Sequence, residues 1–196
     1  MKNEEYFNSV AEEWDSFVNH DEGKIKKILD ILQLKKGYSV LDVGTGTGVL
    51  IPYLYSYVGY SGKIIAVDVA EKMIDVAKRK FSYKNVQFIV NDVLKTEFPE
   101  KHFDCIICYS MFPHFDNRKE AVGKLSKHLR KGGKFVICHS QSRESINNLH
   151  KGLSKPVKND ILPTADIISE YYKSAALETT YIADNDNMFV VIGEMI

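Results

Sequence analysis

A glycine-rich turn after an apolar run is the part of the sequence best suited to bind a ligand. Residues 40–48 read VLDVGTGTG, in which Gly44, Gly46 and Gly48 alternate with threonines. Glycine adopts positive φ angles readily and has no side chain to hold a ligand away from the backbone. The pattern is typical of a chain that leaves a buried strand and turns tightly into a helix beside a ligand.

A second apolar run ends in an acidic residue that suits a ribose. Residues 63–67 read KIIAV and are followed by Asp68. A carboxylate at this point can accept hydrogen bonds from both hydroxyls of a ribose. Together the two motifs predict that the chain binds a nucleoside derivative.

The spacing of the glycines distinguishes between two kinds of nucleoside ligand. The dinucleotide fingerprint is G-x-G-x-x-G, and Val49 occupies the position of its last glycine. The spacing here is G-x-G-x-G, and Asp42 stands shortly before the first glycine. A carboxylate there would repel a pyrophosphate and would attract a cationic ammonium group. The motif therefore favours S-adenosylmethionine over NAD.

Five blocks of the sequence resemble the class I S-adenosylmethionine-dependent methyltransferases, in the order in which that family has them. They match its cofactor loop, the ends of its second and third strands, its fourth strand and the turn into its fifth. The blocks are residues 40–48, 68–73, 90–93, 103–109 and 129–135. The resemblance is to the small-molecule type, including the methyltransferases of quinone biosynthesis.

The resemblance implies a cofactor-binding role for residues from several blocks. It places the loop glycines beneath the cofactor, Asp42 near its amino group, Asp68 on the ribose, and Met73 and Asp92 at the adenine. The implied set is Tyr6, Trp14, Asp42, Gly44, Thr45, Gly46, Asp68, Val69, Met73, Asp92, Val93 and Tyr109. Alternatively, the acidic residues could cap strands, helices or turns, and Met73 could be a core residue.

The N-terminal region resembles the lid that precedes the domain in small-molecule methyltransferases. Residues 1–36 are therefore predicted to form a helical lid, with Tyr6 and Trp14 closing over the methionine part of the cofactor. The apolar residues of its first helix recur at helical spacing. They are Phe7, Val10, Ala11, Trp14 and Val18. Trp14 could equally be an anchor that attaches this helix to the core.

Two histidines are predicted at the edge of the sheet where an acceptor would bind. His114 follows the fourth predicted strand and His139 ends the fifth. Ligands bind at the carboxyl ends of the strands in open α/β folds, so both are predicted to be catalytic, one of them as a general base. Residues 139–163 are too long for a simple connection and are predicted to cover the acceptor site. No metal ligand is assigned, but convergence with His150 would open the alternative of a metal site.

Composition limits the classes of partner. The 196 residues include 26 Lys and Arg and 26 Asp and Glu, so no overall field attracts nucleic acid or anionic membranes. No apolar run reaches the roughly 20 residues of a membrane span, and the first residues lack the apolar core of a signal peptide. Three cysteines fit a reducing compartment. We expect a cytoplasmic monomer or homodimer that binds a small molecule, and neither nucleic acid nor membranes.

The order of predicted elements indicates a single α/β domain over residues 1–196. The resemblance implies a Rossmann-like doubly wound sheet of seven strands, mostly parallel with an antiparallel last strand, in the order 3-2-1-4-5-7-6. The predicted strands are about 38–43, 63–68, 86–91, 103–109, 134–138, 178–183 and 188–195. Five of the predicted helices end at about Val18, Gly37, Leu129, Leu153 and Ala176. A sixth is predicted around Met73, and a seventh is predicted to start late or to kink at Pro52.

Three functions follow from these patterns. The favoured one is transfer of a methyl group to a small molecule. The second is methylation of a protein or nucleic acid, which the balanced charge makes less favourable. The third is a non-catalytic module that binds S-adenosylmethionine as a sensor.

Overall fold

Strands and helices alternate along the chain. The computed structural model describes residues 4–152 and 157–196. Its helices are α1 (Glu4–Val10), α2 (Trp14–Phe17), α3 (Glu22–Leu32), α4 (Ile51–Val58), α5 (Glu71–Lys80), α6 (Arg118–Leu125), α7 (Arg143–Gly152) and α8 (Ala165–Ser174). Its strands are β1 (Ser39–Val43), β2 (Lys63–Asp68), β3 (Val86–Val90), β4 (Phe103–Tyr109), β5 (Leu129–His139), β6 (Leu177–Asp184) and β7 (Phe189–Met195).

The strands form one seven-stranded sheet with the predicted order, β3-β2-β1-β4-β5-β7-β6. The pairs β1–β2, β2–β3 and β4–β5 are parallel, whereas β7 is antiparallel to both β5 and β6. The predicted fold class, a mostly parallel α/β sheet with an antiparallel last strand, is confirmed. The chain divides into two compact units, Met1–Glu97 and Phe98–Ile196.

The first unit is built on two continuous apolar strands. Every residue of β1 is buried, and so is the interior of β2, as expected for strands that are covered on both faces. Asp21 caps α3 by accepting a hydrogen bond from the Lys24 amide. That helix buries one apolar stripe, formed by Ile25, Ile28, Leu29 and Leu32. By contrast, β3 at the edge of the sheet is only half-buried.

The second unit is built on β4, β5 and β7, whose central residues are almost fully buried. Tyr172 of α8 lies across β7 beside Gly193, and its hydroxyl is 3.1 Å from the carbonyl oxygens of both Phe135 and Val191. The last two strands are joined by the predicted turn. There the Asn185 side chain accepts hydrogen bonds from two later backbone amides.

The N-terminal helices differ from the prediction. Instead of one helix to Val18, α1 and α2 are separated by a turn in which the Glu13 amide bonds to Val10 and the Trp14 amide to Ala11. These three-residue bonds replace the four-residue bonds of an α-helix and change the direction of the chain. Helix α3 ends at Leu32 rather than near Gly37, because the next residue adopts a left-handed conformation.

The start of β5 is also earlier than predicted. The helix expected through Leu129 ends at Leu125, and Leu129 instead pairs with Phe103 of β4. A shift in register and a positive φ at Gly132 let the strand continue through its basic, glycine-containing start. As predicted, α4 starts late and has its proline in the first turn. The predicted end of α7 at Leu153 lies outside the described residues.

Within the described part of the chain, no helix is long and apolar enough to cross a membrane.

Gly193 makes room for Tyr172, and this contact can be tested. A Cβ atom at this position would lie 2.6 Å from the tyrosine ring, so we expect Gly193→Ala to lower the free energy of unfolding by about 1–3 kcal/mol. The control is Gly123→Ala in α6, where a Cβ meets no atom within 4 Å; it should raise stability by up to about 1 kcal/mol. Urea unfolding measures both. Equal effects of the two substitutions would contradict this account of the packing.

Candidate functional site

The loop after β1 is held by hydrogen bonds from its own backbone amides. The amides of Gly44 and Thr45 donate to the Val67 carbonyl at 2.8 and 3.1 Å. The Gly46 amide donates to Oδ2 of Asp68 at 2.8 Å. A phosphate-binding loop instead directs such amides at its ligand. The three amides are already bonded within the protein, which disfavours a pyrophosphate.

Two glycines of this loop have different roles. Gly46 has a φ of +55°, and a Cβ placed on it would meet no described atom within 4 Å. Gly48 has a φ of +83°, but a Cβ there would lie 3.0 Å from the Phe81 ring and 3.3 Å from Ala77. Gly48 therefore lets the loop pack on α5. Gly46 leaves open space in which a ligand can approach the backbone.

Asp68 accepts a hydrogen bond from the glycine loop, which the sequence analysis did not foresee, and it also caps the start of α5, which was one of the alternatives. Besides its bond from Gly46, its Oδ1 accepts a hydrogen bond from the Ala70 amide at 2.9 Å. The carboxylate thus fixes the loop and the start of α5 together. Each carboxylate oxygen can accept a second hydrogen bond, so these contacts leave capacity for ribose hydroxyls.

Asp42 is a buried carboxyl group beside the loop. It is 2% exposed, and its Oδ2 accepts a hydrogen bond from the Thr45 hydroxyl at 2.7 Å. Burial, opposed by this bond and reinforced by the charge of Asp68, raises the pKa of Asp42 from 3.8 to about 7. A cation placed nearby would stabilise the ionised form, so the group is suited to an ammonium ligand.

The residues predicted to contact the adenine follow β2 and β3. Val69 lies between β2 and α5, Met73 lies in α5, and Asp92 and Val93 lie in the turn after β3. Met73 and Val93 are buried and Val69 is half-buried. Asp92 caps the turn after β3, where its Oδ1 accepts from the Leu94 amide at 3.0 Å. These contacts match the capping and core alternatives, and adenine binding by this set stays a prediction.

The N-terminal helices pack on α5. Trp14 and Phe7 meet edge to face at 5.7 Å between ring centroids, and Tyr6 meets Phe7 in the same way at 5.3 Å. Trp14 and Phe7 lie, together with Val10, against a buried cluster formed by Ala11, Ala70, Met73 and Val76. The geometry favours the anchor interpretation of Trp14. Closure of residues 1–36 as a lid stays a prediction, and residues 1–3 lie outside the described part.

In the second unit, two histidines meet at one acidic residue. The Nδ1 atom of His114 lies 2.7 Å from Oδ2 of Asp160. Nδ1 of His150 bonds to the backbone carbonyl of the same Asp160. The two imidazole rings are 5.3 Å apart between centroids. Asp160 therefore orients both rings.

His139 lies near these two rings but differs from them chemically. It is 1% exposed, and among the described residues neither ring nitrogen has a hydrogen-bond partner. Burial, reinforced by the charges of His114 and His150, lowers the pKa of His139 to about 3. Its imidazole is thus neutral and a weak base. Of the two predicted catalytic histidines, His114 is the one whose ring is oriented by a carboxylate, that of Asp160.

Several residues of this cluster were missed by the sequence analysis. Tyr109, predicted to bind the cofactor, is buried and donates its hydroxyl proton to Ser140 at 2.9 Å. Asn147 exchanges two hydrogen bonds with the backbone of Leu162 and so fixes the chain beside Asp160. No motif or spacing indicated Ser140 or Asp160, which lie in the long insertion, whereas Tyr109 belongs to the block 103–109 that resembles the family.

The metal alternative finds no support in the part of the chain that the structure describes. There, no group of three or more histidine, cysteine, aspartate or glutamate side chains is arranged to hold a metal ion.

Comparison with known proteins agrees with this geometry. Residues 40–133 match the methyltransferase domain family. The chain is 29% identical over 156 residues to the ubiquinone/menaquinone biosynthesis C-methyltransferase UbiE of Pseudomonas aeruginosa, over 75% of this chain and 60% of that protein. The structure is similar to that of a methyltransferase dependent on S-adenosylmethionine (SAM) from Aquifex aeolicus, with a TM-score of 0.75, 23% identity, and coverage of 96% of this chain and 98% of the other.

In sequence and in fold the chain is similar to the S-adenosylmethionine-dependent methyltransferase family. Its fold is also similar to that of Haemonchus contortus phosphoethanolamine N-methyltransferase 2 in complex with S-adenosyl-L-methionine, with a TM-score of 0.74, 17% identity, and coverage of 97% of this chain and 58% of the other. S-adenosylmethionine is the cofactor of this family. The open space at Gly46 and the carboxyl groups of Asp42 and Asp68 fit a nucleoside that carries an ammonium group.

The contrast between the two loop glycines gives a test of the cofactor site. Gly46→Ala places a methyl group in the open space, at a cost to folding of about 1–2 kcal/mol for the left-handed conformation. We expect this variant to fold and to bind S-adenosylmethionine about tenfold more weakly, a loss of about 1.4 kcal/mol, because the methyl group occupies the space through which the ligand approaches the backbone. Gly48→Ala should lose more stability, since its methyl group meets the Phe81 ring. Calorimetric titration and thermal unfolding separate the two effects; an unchanged affinity of Gly46→Ala would exclude this site.

The raised pKa of Asp42 predicts a pH dependence of cofactor binding. If the ionised carboxylate binds the ammonium group, affinity should fall about fivefold from pH 7 to pH 6 and about tenfold per unit below that, as the ionised fraction falls. Binding near pH 6.5 should release protons, which titration in buffers of different ionisation enthalpy detects. Asp42→Asn should bind weakly with a flat profile between pH 5.5 and 7.5. A flat profile in the unaltered protein would contradict the assignment.

Proposed function

We propose that the chain transfers a methyl group from S-adenosylmethionine to a small-molecule acceptor. The observation that carries this proposal is the glycine loop. Its amides are bonded within the protein, Gly46 leaves open space, and two carboxyl groups lie beside it. This arrangement suits a cationic nucleoside that has no phosphate.

The residues of the chain need only bind and orient, because S-adenosylmethionine supplies a methyl group already activated on a sulfonium. Asp68 accepts hydrogen bonds from the ribose, Asp42 pairs with the ammonium group, and the loop passes close to the ligand at Gly46. The adenine contacts come from Val69, Met73, Asp92 and Val93. Orientation and exclusion of water then contribute several kcal/mol of the barrier, as is usual for reactions of this kind.

A small acceptor is supported by two features. The curated relative compared above is named for C-methylation in ubiquinone and menaquinone biosynthesis, although the chain spans only 60% of its length. In the second unit, His114, His139 and His150 form a cluster with little exposure. Such a cluster fits a small polar molecule better than an extended polymer.

We assign to His114 the removal of a proton from the acceptor. A carboxylate only accepts hydrogen bonds, so the neutral ring bears its proton on Nδ1, toward Asp160, and its Nε2 holds a lone pair. That lone pair can take a proton from an acceptor that arrives protonated. His139 is neutral and serves as a polar contact, while the hydroxyls of Tyr109 and Ser140 shape the same end of the sheet.

Two other functions remain as alternatives. A protein or nucleic acid acceptor is disfavoured by the equal numbers of acidic and basic residues. A non-catalytic sensor would not use the His114–Asp160 pair. A cytoplasmic monomer or homodimer stays part of the proposal; the odd number of cysteines, three, fits a reducing compartment such as the cytoplasm.

The proposal is tested with S-adenosylmethionine labelled on its methyl group. The protein is incubated with a metabolite extract, with total RNA and with total protein, and labelled products are identified by mass spectrometry. A labelled small molecule confirms the proposal. Label only in RNA or protein would support the second function, and cofactor binding without any transfer would support the sensor.

The His114–Asp160 pair predicts a specific pattern of kinetic effects. With the acceptor identified above, His114→Asn should lower kcat about 10²–10⁴-fold and leave cofactor affinity unchanged. Asp160→Asn should lower kcat by a smaller factor, because the amide can donate to Nδ1 and so favour the wrong tautomer. The control is His128→Asn, at the opposite end of β5, which should keep full activity. Loss confined to KM would show that His114 only positions the acceptor.

A further inference from the structure

The N-terminal segment, here residues 4–17, contacts the glycine loop through Asp15. Oδ1 of Asp15 accepts a hydrogen bond from the Thr47 hydroxyl at 2.6 Å, and Oδ2 lies 2.5 Å from Nζ of Lys80 on α5. Thr47 is 2% exposed and directly follows Gly46, where the loop leaves open space. One carboxylate therefore joins the segment, the cofactor loop and α5.

The same segment is attached to α5 by contacts that do not involve the loop. Asn8 accepts a hydrogen bond from the Lys72 amide at 2.9 Å, in the first turn of the helix. Glu12 receives two hydrogen bonds from Arg79, at 2.6 and 2.7 Å. The buried cluster around Met73 adds apolar contacts. Docking on α5 and contact with the loop can thus be altered separately.

The Asp15 carboxylate is in its charged form at neutral pH. Burial acts to raise its pKa, but the hydrogen bonds from Lys80 and Thr47, together with the charges of Lys80 and His20, outweigh burial, so the pKa of Asp15 is lowered. A hydrogen bond to a charged acceptor is stronger than one between neutral groups. Because Thr47 is buried, its hydroxyl has little access to water as a substitute partner.

We propose that Asp15 is a positioning residue for cofactor binding: by holding the Thr47 hydroxyl, it fixes the loop around Gly46 and couples docking of residues 4–17 to the binding of S-adenosylmethionine. The strands hold the loop through Gly44, Thr45 and Gly46, and Asp15 holds it just beyond them. A loop fixed in advance loses less conformational freedom when the ligand binds. By reciprocity, the bound cofactor strengthens docking of the segment. The proposal rests on the cofactor assignment and not on methyl transfer.

Calorimetric titration of the unaltered protein and five variants with S-adenosylmethionine tests the coupling. Asp15→Ala and Thr47→Val should each weaken binding about 5- to 20-fold, the lower part of the range for coupled sites. Their combination should bind no more weakly than Asp15→Ala alone, because Thr47→Val removes only a bond that Asp15→Ala already removes. Thr47→Ser keeps the hydroxyl and should bind like the unaltered protein. The matched control is Glu12→Ala, which removes an exposed ion pair of the same segment and should change affinity less than about twofold.

Hydrogen exchange gives a second readout that does not depend on activity. In the unaltered protein the cofactor should slow exchange in residues 4–17 as well as in the loop. In Thr47→Val the loop should still be protected at saturating cofactor, while the added protection of residues 4–17 is lost. Equal thermal stability of Thr47→Val and Glu12→Ala would confirm that the difference is not one of folding.

Three results would overturn the inference: unchanged affinity in Asp15→Ala, equal weakening by Asp15→Ala and Glu12→Ala, or additive effects of Asp15→Ala and Thr47→Val. The outcome is separate from that of the proposed function. Coupled binding without any methylated product would leave the inference standing and refute the function. Methyl transfer with unchanged affinity in Asp15→Ala would do the reverse.

Discussion

The site depends on the hydrogen bonds that join the glycine loop to the end of β2. The parallel register pairs Val43 with Val67, so the loop leaves β1 directly beside the Val67 carbonyl, one residue before the end of the neighbouring strand. Gly44 reaches that carbonyl, and Gly46 reaches the Asp68 carboxylate. A slip in register would separate these partners. Strand pairing therefore decides where the ligand meets the backbone, and the glycines permit the positive φ angles that the turn requires.

This arrangement places the carboxyl groups of Asp42 and Asp68 close enough for their charges to interact unfavourably. Folding raises the pKa of Asp42 from 3.8 to about 7, so the folded chain binds that proton more tightly than the unfolded chain does. Stability contributed by this group consequently declines as pH rises through that window. A buried carboxyl with so perturbed a pKa is common at functional sites, where a ligand of opposite charge offsets the cost. Asp15 differs from it, because an ammonium group as well as a hydroxyl bonds to its carboxylate and its pKa is lowered.

Local pattern was sufficient to predict some elements and insufficient for others. The predicted bounds of β2 and β4, 63–68 and 103–109, agree with the structure because each is an apolar run between polar residues. The break between α1 and α2 and the early start of β5 depend on tertiary contacts. In the site, the motif identified Asp42, Gly46 and Asp68. It missed Asp15 and Asp160, whose partners are 32 and 46 residues away, because no spacing along the chain records such contacts.

The central claim is that this loop receives a cationic nucleoside and not a dinucleotide. Calorimetric titration of the unaltered protein with S-adenosylmethionine and with NAD tests it most directly, at pH 7.5, where the Asp42 carboxylate is largely ionised. We expect S-adenosylmethionine to bind at one site per chain and NAD to give no measurable heat. Tighter binding of NAD than of S-adenosylmethionine would contradict the account.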